Sequence, residues 1–145
     1  MDNMALRDKR VKVFYQKQNT GIANATNLGI QNAKGAFIGF LDHDDELTPD
    51  ALAWIVRALN KNPKALWFYS DEDKISIRGR CHSPYFKPDF SPELLLSNMF
   101  TCHFSVYSSE MIKKVNGLRK GFDGAQDHDL ALRPVSYTHL TLPTN

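Results

Sequence analysis

Two stretches of the sequence concentrate side chains that could do chemistry. Asp42-His43-Asp44-Asp45-Glu46 packs four carboxylates into five residues, and Gln126-Asp127-His128-Asp129 sets two more beside an amide and an imidazole. Four carboxylates this close repel one another, so a positive partner is expected. A hard divalent cation fits: magnesium or manganese is usually held by one or two protein carboxylates together with substrate phosphates. The competing explanation is a solvated acidic loop leading into a helix, although Thr48 and Asp50 already serve that helix start. A calcium loop of the EF-hand type starting at Asp42 is excluded, because its sixth position is Leu47 rather than Gly and its twelfth is Ala53 rather than Glu. In the second stretch, an aspartate such as Asp127 is ionised at neutral pH without special tuning, as a general base must be. His128 is the competing base, and an acid at a helix start is also favoured by the helix dipole alone.

Cys81-His82 and Cys102-His103 invite a zinc reading. Structural zinc ligands are usually spaced by two to four residues, and adjacent ligands are geometrically awkward. Both cysteines are therefore read as free buried thiols in a reducing compartment, and the chain is expected in the cytoplasm.

The elements around these stretches alternate. Val11–Tyr15 is a short β-prone run. Ile22 to Ala33 reads as an alanine-rich helix stopped at Gly35. Phe37–Leu41 is continuously apolar, as in a strand buried on both faces. Thr48-Pro49-Asp50 starts a helix with Thr as its cap, and Leu66–Tyr69 is the next buried strand. Strand and helix in alternation predict an α/β fold with a mostly parallel sheet flanked by helices. Ligands then bind beyond the carboxyl ends of the strands, where Asp42 stands. In the second half, Lys74–Arg80 reads as a hairpin, Ser91-Pro92 opens a short helix, and Cys102, Phe104 and Val106 alternate as in a half-exposed strand. Ser109–Val115 is a short helix stopped at Gly117, and a helix begins at Ala125 and stops at Pro134.

Hydrophobic content of 42% and charged content of 23% over 145 residues are ordinary for a globular domain with its own core. A net charge of +2 gives no argument for nucleic acid as a partner. No apolar run is long enough to span a bilayer.

Asn19-Thr-Gly21-Ile-Ala-Asn-Ala-Thr-Asn27-Leu-Gly29, Ala33-Lys-Gly35, Phe40-Leu-Asp42-His-Asp44-Asp45 and Leu47-Thr-Pro49-Asp50-Ala51-Leu52 follow one another in an ordered series. That series resembles the family 2 glycosyltransferases of the GT-A (Rossmann-like) fold. The resemblance implies that Asp44 coordinates a divalent cation (Mn2+ or Mg2+). It also implies that Asp42 contacts the ribose or assists the metal, and that Asn19, Gly21 and Asn27 shape the nucleotide side of the pocket. Turn chemistry and helix capping would equally explain Gly21. Thr26 stands where many members carry Arg. Gln126-Asp127 resembles the family's acidic motif, which makes Asp127 the base. Tyr69-Ser-Asp71-Glu72-Asp73-Lys74 and Phe86-Lys87-Pro88-Asp89 are similar to rhamnosyltransferase-like members that build bacterial surface polysaccharides. There these stretches flank the donor and acceptor pocket, with Asp71 the residue of interest.

The implied reaction is inverting transfer from a nucleotide-diphosphate sugar to a saccharide or lipid-linked acceptor, with room for peripheral association at the cytoplasmic face of the membrane. The family's first strands have no counterpart here. Residues 1–133 are thus expected to form a partial GT-A domain truncated at its N-terminus, and 134–145 a non-native or disordered tail. A sheet lacking its first strands has an uncovered edge, so the chain alone is expected to be poorly soluble and inactive.

Overall fold

Helix and strand alternate through the first half of the computed structural model, which describes residues 2–138. The elements are α1 (Asp2–Arg7), α2 (Ile22–Asn32), β1 (Phe37–Phe40), α3 (Ala51–Lys61), β2 (Trp67–Tyr69), β3 (Glu72–Ile75), β4 (Cys81–Tyr85), α4 (Pro92–Ser97), β5 (Ser105–Ser108), α5 (Ser109–Lys114) and α6 (Gln126–Thr138). The α/β class expected from the sequence is present. The mostly parallel sheet is not. The main sheet has the order β1-β5-β2, and β5 pairs antiparallel with both neighbours. The physical reason lies in β5. The β1–α3–β2 connection does make β1 and β2 run in the same direction, but β5 inserts between them and takes the hydrogen bonds of both. β3 and β4 form a separate antiparallel hairpin around the turn at Gly79.

β5 is buried along its whole length, which corrects the half-exposed strand read from its alternation: it is central, with helices on one side and ladders on both edges. β1, conversely, is only partly buried, with Gly39 exposed, so it is not covered on both faces. Val11–Tyr15 forms no strand; its backbone finds no ladder among the described residues. At α3 the N-cap is Asp50 rather than Thr48, and the Asp50 carboxylate accepts a hydrogen bond from Trp54 Nε1 at 2.9 Å. α6 runs through Pro134 to Thr138 instead of stopping there. Pro134 lies eight residues into the helix and is buried, and Val135 packs against the core, so tertiary packing overrides the proline's preference. The rest of the expected tail, 139–145, lies outside the described residues.

The core forms where α2, α5 and α6 meet β5. Ala23, Tyr107, Met111, Ile112, Val115, Leu118 and Leu130 make one cluster, and Leu95, Phe100 and Ala131 a second. Trp67 touches both and stacks on Tyr107 with ring centroids 4.9 Å apart. On α6, Leu130, Ala131 and Pro134 are buried at helical spacing from Asp127, so the stripe that docks the helix also fixes Asp127. Among the described residues, no helix is long and apolar enough to cross a membrane.

Candidate active site

The antiparallel register decides what surrounds Asp42. Phe40 pairs with Ser105 at the end of β1. Continuing that register by two residues sets Asp42 opposite His103, just before β5 begins. On the other side Tyr69 also pairs with Ser105, so His103 sits between the carboxyl ends of two co-directional strands. Gly39 makes this approach possible: a Cβ there would lie 2.6 Å from the Phe104 ring, the residue adjoining His103.

His103 bridges the acidic loop. Its Nε2 lies 3.7 Å from Asp42 Oδ2 and its Nδ1 3.7 Å from Asp45 Oδ2. One ligand atom from each of Asp42, Asp45 and His103 falls within 4.8 Å of the others, a spacing that one divalent cation could bridge. Carboxylate oxygens with one imidazole suit a cation of intermediate hardness, and the half-open side chains leave coordination positions for phosphate oxygens. Asp44 is outside this group. Its carboxylate points to solvent, 3.6 Å from His43 Nδ1.

Asp42 also lines a cleft of about 380 Å³ with Gln126 and Asp127, floored by Ile38, Gly39 and Phe40 and walled by Ile22, Thr26 and Ile30. Burial pushes the Asp127 carboxyl above the usual aspartate range, and the charge of Asp42 pushes it further; His103 and a 3.1 Å hydrogen bond from Gln126 Nε2 pull the other way. A base with a raised pKa takes a proton more readily than free aspartate does. Cys102 beside it is pushed up to about 12 by burial and then by the charge of Asp127, so it is a neutral thiol. Both cysteines are free, but Cys81 is exposed rather than buried, because every residue of β4 lies at the surface.

The other residues singled out in the sequence lie elsewhere. Asn19 and Gly21 line an open groove of about 470 Å³ that shares Ile22 with the cleft. The Asn19 carboxamide accepts from Gly21 N at 3.0 Å, and Gly21, with φ of 84°, is the N-cap of α2. Asn27 is consumed by structure: its Nδ2 donates to Leu118 O at 2.8 Å and its Oδ1 accepts from Leu118 N at 2.9 Å. Asp71 Oδ1 accepts from Lys87 N at 2.8 Å. His128 contacts the Leu95 carbonyl through Nε2 and points away from the acidic loop. Asp129 is buried between Arg119 and Arg133. Sequence reasoning missed His103 as a partner of the acidic loop. The signal was available in its place two residues before a buried strand, but using it required the antiparallel register.

The profile of glycosyl transferase family 2 matches residues 1–115. The chain belongs to that family. Family 2 membership implies the GT-A fold. The chain is 42% identical over 143 residues to the O-antigen biosynthesis protein RfbC of Myxococcus xanthus, covering 96% of this chain and 11% of that protein. It is 40% identical over 133 residues to the uncharacterized protein y4gI of Sinorhizobium fredii, covering 92% of this chain and 15% of that one. It is 31% identical over 125 residues to the chondroitin synthase of Pasteurella multocida, covering 86% and 13%. The chain thus spans less than a fifth of the length of these relatives.

Proposed function

We propose that this family 2 chain carries the diphosphate-binding and base-bearing part of an enzyme that transfers a sugar from a nucleotide-diphosphate donor to a saccharide or lipid-linked acceptor during polysaccharide assembly. One observation carries the reading: Asp42, which with Asp45 and His103 forms the cation-sized group, lines the same cleft as Asp127. In this reading Asp42, Asp45 and His103 would hold Mn2+ or Mg2+, with Asp44 joining from the solvent side of the loop. When bound there, a cation would supply Lewis-acid stabilisation to the departing diphosphate. Asp127 removes the proton of the acceptor hydroxyl as that oxygen attacks the anomeric carbon, and Gln126 orients its carboxylate. One sugar-oxygen bond forms, the bond to the diphosphate breaks, and configuration inverts. Asn19 and Gly21 shape the groove on the nucleotide side, Asn27 supports it through Leu118, and Asp71 borders the acceptor side. We place this chemistry in the cytoplasm, at the face of the membrane when the acceptor is lipid-linked.

The experiment is a product assay on the full-length protein with a panel of sugar nucleotides. Release of nucleoside diphosphate that depends on Mn2+ or Mg2+ and collapses in Asp42→Asn is expected. Release of nucleoside monophosphate or inorganic phosphate, or turnover indifferent to chelation, would overturn it.

A further inference from the structure

Lys87 is the least accessible ammonium near the site, with its side chain 1% exposed. Its Nζ donates to the backbone carbonyl of His103 at 2.6 Å and pairs with Glu72 Oε2 at 2.9 Å. The same Glu72 oxygen accepts from the backbone N–H of His103 at 2.7 Å. The two charged side chains therefore clasp both polar backbone groups of one residue, the one whose ring reaches Asp42 and Asp45. The clasp is itself anchored. Asp71 Oδ1 holds Lys87 N, Tyr69 Oη donates to Pro88 O at 2.7 Å, and Ser70 N donates to Phe104 O at 3.1 Å. A buried ammonium is retained only where its partners are well placed, and here those partners are a carboxylate and the peptide groups of His103.

We infer that Lys87 and Glu72 are positioning residues for the cation site, acting by fixing the backbone of His103 so that its imidazole faces the acidic loop. The inference rests on the cation reading above. Neither residue touches the cation; each sets the geometry of a ligand from behind.

The test measures Mn2+ affinity of the full-length protein by electron paramagnetic resonance, for wild type, His103→Ala, Lys87→Met and the double variant, with thermal unfolding in parallel. Methionine keeps the unbranched stem of lysine, and Glu72→Gln serves as the second variant should Lys87→Met not fold. Lys87→Met is expected to weaken Mn2+ binding about tenfold, within the 10- to 100-fold range of residues that orient ligands. The double variant should bind no more weakly than His103→Ala alone, because Lys87 acts through His103. Lys87→Arg should recover part of the affinity. Additive losses, or unchanged affinity in a folded Lys87→Met accompanied only by a lower melting temperature, would reduce Lys87 to a structural role. Wild-type affinity in His103→Ala, or no Mn2+ binding by wild type, would overturn the cation reading and this inference with it.

Discussion

Asn27 offers the sharpest separation of a nucleotide contact from a structural clamp. Its amide makes two hydrogen bonds to the backbone of Leu118, joining α2 to the loop before α6. Each contributes about 1 kcal/mol net, and truncation also leaves the buried N–H of Leu118 without a partner, which adds about 1 kcal/mol or more. Asn27→Ala should therefore cost about 3 kcal/mol. For a chain of this size that is a fall of about 10 °C in melting temperature. Calorimetry would read the melting temperature, and titration with nucleoside diphosphates in the presence of Mn2+, well below the transition, would read affinity. The folded variant should keep its affinity within about twofold, since a shift under 0.4 kcal/mol is about a factor of two. A melting temperature within about 2 °C of wild type combined with a loss of nucleotide affinity would refute the clamp and return Asn27 to the donor site.

Three further outcomes follow from the same geometry. Asp127→Asn should lower the transfer rate by about 10² to 10⁴ yet raise the melting temperature at pH 7. Burial and the charge of Asp42 disfavour the ionised carboxylate, so removing its charge relieves the fold; the gain should shrink as pH falls through the raised folded pKa, as denaturation across pH would show. Asp129→Asn should do the opposite. Burial alone would raise that carboxyl, but hydrogen bonds from Arg119 and the charges of Arg133 and Arg119 hold it below the ordinary value. Its stabilisation is present above pH ~4 and is lost as pH falls through the depressed folded pKa, so urea midpoints of wild type and variant should converge in acid. Gly117→Ala should destabilise by about 2 to 4 kcal/mol, measured by urea unfolding, because Gly117 has φ of 62° and a Cβ there would lie 2.4 Å from Asn27 Oδ1.

Many individual elements were legible because their signals are local. The Ser91 cap of α4, the hairpin at Gly79, the turn at Gly21 and the acids beyond Phe40 need only short-range chemistry to be read. The sheet direction was not legible, because a β–α–β run fixes only that β1 and β2 point the same way. Whether they are neighbours depends on β5, whose alternation does not reveal that it is paired on both edges. The missed register concealed His103 for the same reason. Asn27 shows a different limit: an amide after a glycine turn looks the same whether it faces a ligand or a carbonyl 91 residues away. Pro134 shows the limit of a local breaker once its ring is packed.

The insertion of β5 between β1 and β2 also sets a timetable. Among the described residues, Phe37–Phe40 and Trp67–Tyr69 find their strand partner in Ser105–Ser108, which is made last. At about 5 to 20 residues per second of synthesis, several seconds separate the emergence of β1 from that of the strand it pairs with here. The pairings that finally close are long in sequence and slow to form. The acidic loop at the end of β1 sets like charges beside this apolar strand, the flanking arrangement that disfavours association of chains still waiting for β5.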